Sequence, residues 1–345
     1  MQDTGGAEPD DSVPFFTYYR RNMTKELDYS AEVQREIFGH HDRYIRKIEK
    51  NLGVVIISRD GSVRVSGDEP KVDVAVSILD QLASLAGKGS ELEDQKVDYA
   101  LEMQEEAPKD MLLQMDADTI CHTVSGRPVR PKTMGQKKYI DAIRRNLIVF
   151  ANGPAGTGKT YLAMAMAITA FQNKEVERII MTRPAIEAGE KLGFLPGDMQ
   201  SKVDPYLRPL YDALYQIMGA DNFKANMEKG LIEVAPLAYM RGRTLDNAYI
   251  ILDEAQNTTP EQMKMFLTRF GFGSKAIITG DATQKDLEPG KRSGLDVALR
   301  VLKNVEGISI CTLTSHDVVR HPLVQRIVKA YENYEKNSAE HRKRD

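Results

Sequence analysis

The feature that most constrains this chain is a short glycine-rich run near its middle. The run fits the pattern Gly-x-x-x-x-Gly-Lys-[Ser/Thr] and consists of Gly153, Pro154, Ala155, Gly156, Thr157, Gly158, Lys159 and Thr160. An apolar stretch typical of a strand, residues 147–151, precedes it, and a helix rich in Ala, Met and Leu follows. Glycines in such a strand–loop–helix unit let backbone N–H groups turn towards phosphate oxygens. The run therefore predicts a P-loop that binds a nucleoside triphosphate.

Two side chains of this loop have distinct predicted roles. Lys159 is long enough to reach the β- and γ-phosphates, where its charge would assist catalysis. The hydroxyl of Thr160 is a ligand for Mg²⁺ in loops of this pattern. We therefore expect the nucleotide to bind together with Mg²⁺.

Strand-like and helical stretches alternate from about residue 120 to residue 332. The strand candidates are residues 147–151, 178–182, 231–235, 249–252, 275–279 and 308–313. Several of them are continuous apolar runs, which are typical of parallel strands buried on both faces. The alternation predicts a doubly wound α/β domain with a mainly parallel sheet.

Two adjacent carboxylates, Asp253 and Glu254, follow the strand candidate at residues 249–252. Open α/β sheets bind their ligands at the carboxyl ends of the strands, so this pair is expected near the P-loop. Asp253 would hold Mg²⁺ through its water shell, as a second metal-site residue beside Thr160. Glu254 would orient and deprotonate the attacking water.

Two glutamines are further candidates for the site. Gln284 follows the strand candidate at residues 275–279, and its amide can both donate and accept, as a γ-phosphate sensor must. Gln136 lies upstream of the P-loop, where its amide could pair with the edge of adenine. No Asn/Thr-Lys-x-Asp stretch, the usual guanine-reading element, follows the P-loop, so ATP is favoured over GTP.

The remaining chain divides by composition. Residues 22–87 predict a small α+β domain with the order β-α-α-β-β-α, and a polar loop at residues 39–42 separates its first two helices. Residues 88–119 are a charged linker with one short predicted helix. Residues 1–21 are interpreted as a disordered acidic tail, and residues 333–345 as a charged tail.

Composition and charge limit the setting and the partners. The net charge is −3, so nucleic-acid binding would depend on local basic patches. Two patches stand out: Arg127, Arg130, Lys132, Lys137 and Lys138, and then Lys285, Lys291 and Arg292. Two cysteines far apart predict no structural disulfide. Because no apolar run is long enough to span a membrane, we expect a cytoplasmic protein without a membrane partner.

With these motifs assembled, the chain resembles the PhoH family of P-loop ATPases. The stretches that carry the resemblance are residues 131–136, 153–160, 182–190, 240–244, 252–257, 280–284 and 317–322. The family's RecA-like nucleotide-binding domain is similar to the first motor domain of superfamily 1 helicases. The resemblance implies ATP and Mg²⁺ as ligands, with adenine reading by Gln136. It likewise implies metal binding through Thr160 and Asp253, base action by Glu254 and sensing by Gln284.

Residues 22–87 resemble the KH-like domain of the same family, which implies single-stranded RNA as a partner. A KH domain grips RNA backbone with a Gly-x-x-Gly loop. Here Gly39 begins the matching loop, and Asp42 replaces the second glycine. The favoured function is an RNA-linked ATPase or helicase-like remodeller that works with an RNA-processing nuclease or a ribosome-associated partner. The alternative is a regulatory ATPase whose N-terminal domain docks proteins.

An assembly is expected because the predicted motifs include no arginine finger. Such an arginine typically accelerates hydrolysis by about 10³ to 10⁵, and a neighbouring subunit could supply it in a closed homo-oligomeric ring. The family resemblance also suggests a ring, such as a hexamer. Arg320 is the first candidate to act in trans; the others are Arg241, Arg243 and Arg326.

Overall fold

The computed structural model describes residues 22–103, 110–184, 199–287 and 290–320, together with residues 323–324, 326–328, 330–331 and 334. The chain forms two compact units that divide between Lys109 and Asp110. This division falls within the predicted linker. The predicted tail at residues 1–21 lies outside the described residues. The predicted tail at residues 333–345 also lies outside them, except for residue 334.

The first unit is a small α+β domain with the predicted order. Its elements are β1 (Asn22–Leu27), α1 (Ala31–Phe38), α2 (Arg43–Leu52), β2 (Val55–Arg59), β3 (Ser62–Asp68), α3 (Glu69–Gly87) and α4 (Asp94–Glu102). The three strands form an antiparallel sheet in the order β1-β3-β2. The inward-facing side chains of β3 and of the helices form its core, including Ile37, Ile48, Val63, Val65 and Leu79.

Local sequence signals explain the bounds of these elements. Ser30 caps α1 by accepting a hydrogen bond from the backbone N–H of Val33. Gly53 ends α2 in the left-handed conformation that glycine adopts readily. Asp60 and Gly61 both have positive φ, as a two-residue hairpin turn between β2 and β3 requires.

The second unit contains the nucleotide-binding sequence motifs. Its elements are α5 (Met111–Ala117), β4 (Cys121–His122), β5 (Pro128–Val129), α6 (Met134–Arg145), β6 (Ile148–Asn152), α7 (Lys159–Gln172), β7 (Arg178–Arg183), α8 (Met199–Met218), α9 (Ala220–Glu228), β8 (Ile232–Pro236), β9 (Ala248–Leu252), α10 (Pro260–Leu267), β10 (Lys275–Gly280), α11 (Gly294–Val301) and β11 (Ile308–Thr312). The helix α5 lies in the predicted linker, which therefore holds two helices, α4 and α5, where the sequence predicted one.

Six strands form the central sheet in the order β11-β6-β10-β9-β7-β8. Every neighbouring pair in this sheet is parallel. The six strand candidates of the sequence are confirmed, each within about one residue of its predicted bounds. The P-loop strand β6 lies between β10 and β11, which come later in the chain.

The sheet is buried on both faces, as its apolar strands predicted. Val149 and Ala151 of β6 belong to a core cluster with α6 and α7. Phe150, which points to the opposite face, belongs to a second cluster with α10 and α11. Among the described helices, none combines the length and the apolar character needed to cross a bilayer.

Candidate nucleotide-binding site

The carboxyl ends of the parallel strands bring the predicted motifs to one edge of the sheet. The P-loop follows β6, and Asp253 and Glu254 follow β9. The loop with Asp281 and Gln284 follows β10, and the loop with Arg320 follows β11. Since ligands of open α/β sheets bind at this edge, the strand order itself assembles the candidate site.

The P-loop connects β6 to the first residue of α7, Lys159. Gly156 lies in the loop with φ of 88°, a conformation that side chains with a Cβ rarely adopt. The amino terminus of α7 points its unpaired backbone N–H groups and its positive dipole end at the loop. Such a helix end stabilises bound phosphate.

The Lys159 side chain is buried within the loop. Its Nζ donates hydrogen bonds to the carbonyl oxygens of Gly153 and Pro154, at 2.6 and 2.8 Å. Burial lowers the pKa of this ammonium group, and the nearby carboxylates of Asp281 and Glu254 partly oppose that shift. Lys159 is therefore held where phosphate oxygens would bind. Its partners are neutral carbonyl oxygens, which a charged phosphate can replace.

Asp253 and Thr160 form the predicted metal-binding pair. The Thr160 hydroxyl donates to Oδ1 of Asp253 at 2.6 Å, and Thr279 of the intervening strand β10 donates to the same oxygen at 2.7 Å. Asp253 is buried. A carboxylate and a hydroxyl are hard oxygen ligands of the kind that Mg²⁺ prefers, usually in combination with substrate phosphates and waters.

Glu254 is held in a fixed orientation beside Asp253. Its φ of 53° is left-handed, which is uncommon for a residue with a side chain and typical of functional sites. Arg183 Nη2 lies 3.0 Å from one carboxylate oxygen, and Gln256 Nε2 donates to the other at 2.6 Å. One face of Glu254 is thus fixed by protein groups before any substrate binds.

Sequence reasoning gave no role to Arg183 or Gln256. Arg183 is the last residue of β7, and it reaches Glu254 because β7 pairs directly with β9. That pairing could not be read from the sequence, since β7 and β9 are separated by two helices and another strand. Gln256 lies two residues after Glu254 and also accepts the backbone N–H of Asp281 at 3.0 Å, so it links the two loops.

The loop after β10 places Asp281 inside the site and Gln284 at its surface. One oxygen of Asp281 accepts from the Thr283 backbone and hydroxyl. The other, Oδ2, is buried and has no hydrogen-bond partner within the described residues. Gln284 is exposed, and its backbone N–H bonds to the Asp281 carbonyl at 3.0 Å. Sensing of the γ-phosphate by Gln284 stays a prediction.

Gln136 packs directly against the P-loop. Its Nε2 donates to the Thr157 carbonyl at 3.0 Å, and its Oε1 accepts from the Lys132 backbone N–H at 2.7 Å. The side chain is buried. Adenine reading by Gln136 stays a prediction, and the structure adds that the amide links the P-loop at Thr157 to the segment before α6 at Lys132.

The structure adds to the expectation for Arg320. The Val319 backbone N–H donates to the Gly156 carbonyl at 2.9 Å. A Cβ built on Gly156 would lie 2.3 Å from Nε of Arg320, so the guanidinium covers the P-loop of its own chain. The structure thus places Arg320 beside the P-loop of its own chain, because β11 pairs with β6 and delivers the following loop there. The action of Arg320 in trans stays a prediction.

The residues present fit a triphosphate with Mg²⁺. The Thr160–Asp253 pair offers oxygen ligands, and the orphaned Oδ2 of Asp281 is a buried acceptor still free to receive a donor such as metal-bound water. Lys159 and Arg320 supply two cations beside the loop. When bound, Mg²⁺ would neutralise charge on the phosphate oxygens.

A cavity of about 950 Å³ lies elsewhere in the second unit. Its lining includes Leu147, Tyr249 and Lys275, which lie at the amino-terminal ends of β6, β9 and β10. This edge is opposite to the P-loop. Because none of the predicted phosphate or metal ligands lines the cavity, the candidate functional site remains the P-loop edge.

A parallel sheet of this order, with a P-loop after one strand and an Asp-Glu pair after another, is characteristic of P-loop nucleotide hydrolases. Comparison with known proteins identifies the family. Residues 128–332 match the sequence model described as "PhoH-like protein". The chain belongs to this PhoH family.

Individual relatives extend the match beyond that domain. A PhoH-like protein of Bacillus subtilis (strain 168) is 54% identical over 296 residues, which cover 86% of this chain and 93% of that protein. A PhoH-like protein of Mycobacterium tuberculosis (strain ATCC 25618 / H37Rv) is 50% identical over 317 residues, covering 91% and 89%. Among solved structures, the Pif1 helicase from Candida albicans is 15% identical with a TM-score of 0.32, and the match covers 58% of this chain and 43% of that one.

Proposed function

We propose that the chain binds ATP with Mg²⁺ and hydrolyses the bond between its β- and γ-phosphates, giving ADP and phosphate, in the cytoplasm and in connection with RNA metabolism. The observation that carries the ATPase proposal is the hydrogen bond between Thr160 and Asp253, with Glu254 adjacent. It joins the P-loop to the carboxylate pair, which is the arrangement needed to place a metal-bound triphosphate against a base.

In this proposal Glu254 accepts a proton from the attacking water. Arg183 and Gln256 each hold one of its oxygens, so the carboxylate cannot rotate away from the reacting face. A base must lie within hydrogen-bond reach of its proton donor, and a fixed orientation lowers the entropic part of the barrier.

The cations Lys159 and Arg320 would stabilise negative charge on the phosphates. Lys159 would exchange its bonds to the loop carbonyls for bonds to phosphate oxygens, which are stronger because both partners are charged. Arg320, on the loop after β11, lies against the P-loop, so one chain supplies a P-loop, a base and an arginine. Gln136 would contribute preference for adenine, by the hydrogen-bonding capacity of its amide.

The RNA link is supported by the fold of the first unit, and the predicted basic surface supports it less than its sequence suggested. The first unit has the β-α-α-β-β-α order that the sequence predicted for the KH-like domain, followed by α4. The basic patch before the P-loop is weaker than its sequence suggested, because acidic side chains pair with several members. Arg130 pairs with Asp116, and Lys137 pairs with Asp118 and Asp141. Similarly, Lys285 of the second patch pairs with Asp296.

A second candidate function is a regulatory ATPase whose first unit docks proteins. Val55 and Ile57 on the outer face of β2 are 57% and 46% exposed. Two exposed β-branched residues on one face of an edge strand are suited to contact with another protein. The proposed partners remain single-stranded RNA and an RNA-processing nuclease or a ribosome-associated protein. The proposed assembly remains a homo-oligomeric ring such as a hexamer.

The experiment that tests these proposals measures ATP hydrolysis with and without single-stranded RNA. The Lys159→Ala variant serves as the inactive control. We expect Mg²⁺-dependent turnover that RNA increases, with RNA binding that weakens steeply as salt concentration rises. Turnover without any RNA effect would favour the protein-docking alternative, and absence of turnover with every nucleotide would contradict the ATPase proposal.

A further inference from the structure

The carboxylate of Asp317 joins two loops that lie on either side of the P-loop. One oxygen accepts from the Thr133 hydroxyl at 2.6 Å and from the Gly135 backbone N–H at 3.1 Å. The other accepts from the Thr314 backbone N–H at 2.8 Å. The first loop ends at Thr133 and leads into α6, which carries Gln136, and the second loop, after β11, carries Arg320. Asp317 therefore connects the segment proposed to read the base with the arginine proposed to act on phosphate.

This connection is tightly packed. Asp317 is 5% exposed. A Cβ built on Gly135 would lie 2.3 Å from Oδ1 of Asp317, so the glycine leaves room for the carboxylate. Buried charge is costly unless it is fully hydrogen-bonded, and the donors to both oxygens meet that requirement. Close packing and hydrogen bonds therefore hold the Asp317 carboxylate in one orientation, as a residue that positions a neighbouring side chain requires.

Arg320 follows Asp317 closely in the chain, with Val319 between them bonded to the P-loop. The backbone N–H of Val319 donates to the Gly156 carbonyl, so the loop after β11 contacts the P-loop directly. Gln136 reaches the other side of the P-loop at the Thr157 carbonyl. Both segments thus bond to the P-loop, and the Asp317 carboxylate bonds the two segments to each other.

We propose that Asp317 is a positioning residue: it holds Arg320 on the P-loop and ties that position to the segment that carries Gln136. The proposal rests on the proposed ATPase function. Asp317 touches neither substrate nor metal, and it acts through Arg320. Its loss therefore lowers the rate of hydrolysis more than the affinity for ATP.

The first test is Asp317→Asn. The amide keeps the size, but its NH₂ group must face either the donors on the Thr133 side or the Thr314 N–H, so one set of hydrogen bonds is lost. Displacing a catalytic group by about 1 Å costs on the order of 100-fold in rate, and we expect a fall of about that size in single-turnover hydrolysis. ATP affinity should stay within about threefold. Asp221→Asn, at an exposed position of α9, is the matched control.

A double variant separates positioning from general structural support. If Asp317 acts through Arg320, then Asp317→Asn should change the rate less than about twofold in an Arg320→Ala background. If instead the double variant loses the product of the two single fold-changes in hydrolysis rate, the substitutions act independently and the proposal is overturned. Gly135→Ala is a second route to the same displacement, since its new methyl group crowds the Asp317 carboxylate.

Hydrogen exchange gives a readout that does not depend on activity. In the nucleotide-free protein, Asp317→Asn should remove protection from the Val319 amide and leave the amides of β6 and β10 unchanged. Unchanged protection of Val319 would contradict the proposal even if the wild-type protein failed to hydrolyse ATP. Another outcome is that the wild-type protein does not hydrolyse ATP while Asp317→Asn still removes protection from Val319. That outcome would contradict the ATPase function and leave the positioning role supported.

Discussion

The Thr160 hydroxyl donates a hydrogen bond of 2.6 Å to Oδ1 of Asp253, although 93 positions separate the two residues. The contact exists because β10 lies between β6 and β9 in the sheet and contributes Thr279 to the same oxygen. Two hydroxyl donors on one buried carboxylate oxygen fix its position without substrate. The end of the site that is predicted to bind metal is therefore arranged in advance, which would reduce the reorganisation that binding requires.

Lys159→Ala should abolish ATP turnover and leave the fold intact. The substitution removes the buried cation of the P-loop, and we expect a loss of at least about 100-fold, or about 2.7 kcal/mol of transition-state stabilisation. Turnover and circular dichroism of the purified variant check this. The exposed Lys138→Ala on α6 is the control. Residual activity within tenfold of wild type would be too high for the assigned role.

Glu254→Gln should still bind ATP with Mg²⁺ but hydrolyse it very slowly. The amide keeps the shape of the side chain and loses its basicity, so we expect a fall in rate on the order of 100-fold or more. Equilibrium binding of a fluorescent ATP analogue and single-turnover hydrolysis separate the two effects. Glu261→Gln, exposed at the start of α10, is the control. A variant that cannot bind nucleotide would show that Glu254 has a structural role.

A mixture of Lys159→Ala and Arg320→Ala subunits should remain inactive. Arg320 covers the P-loop of its own chain, so no subunit in the mixture has both groups at one site. If the arginine acted in trans within a ring, random assortment would pair an intact loop with an intact arginine at about a quarter of the interfaces. The measurement is turnover after confirmed subunit exchange, and recovery towards that fraction would refute the arrangement in cis.

Asp118→Asn should destabilise the second unit in a pH-dependent way. Burial alone would raise the pKa of Asp118, but hydrogen bonds from Arg144 and Lys137 hold it below its ordinary value of 3.8. The ionised carboxylate therefore stabilises the fold at pH above 3.8, and this contribution is lost as the pH falls through the lowered pKa.

We expect Asp118→Asn to lower the free energy of unfolding by about 1 to 2 kcal/mol at pH 7. The difference from wild type should shrink as the solution is acidified below 3.8. Denaturant unfolding at a series of pH values measures it, with the exposed Asp212→Asn as control. If the difference in free energy of unfolding stays constant down to the lowest pH measured, the ion pairs with Arg144 and Lys137 do not contribute to stability.

Much of the fold could be predicted because the relevant signals are local. The six strands of the sheet are apolar runs with turn residues at their ends, and the P-loop is a contiguous pattern. Asp253 and Glu254 were found in the same way, since they follow directly on the strand at residues 249–252. Each of these features is encoded within about ten neighbouring residues.

What the sequence did not reveal depends on strand order and on contacts between distant loops. Arg183 reaches Glu254 only because β7 pairs with β9, and Arg320 lies in cis only because β11 pairs with β6. Asp317 has its partners at Thr133 and Gly135, more than 180 positions away along the chain. Neither spacing nor periodicity encodes such pairings, so Arg183 and Asp317 were given no role, and the sequence named Arg320 as a candidate without its position beside the P-loop of its own chain.

The place of β6 in the sheet has a consequence for the synthesis of the protein. Its two neighbours, β10 and β11, both come later in the chain. Roughly 120 residues must therefore leave the ribosome after β6 before its first partner exists, which takes about 6 to 25 seconds at usual rates of translation. Meanwhile β7, β8 and β9 can already pair with one another. The P-loop edge of the sheet therefore cannot have all its native strand neighbours until β10 and β11 have been synthesised, and we expect it to be completed last.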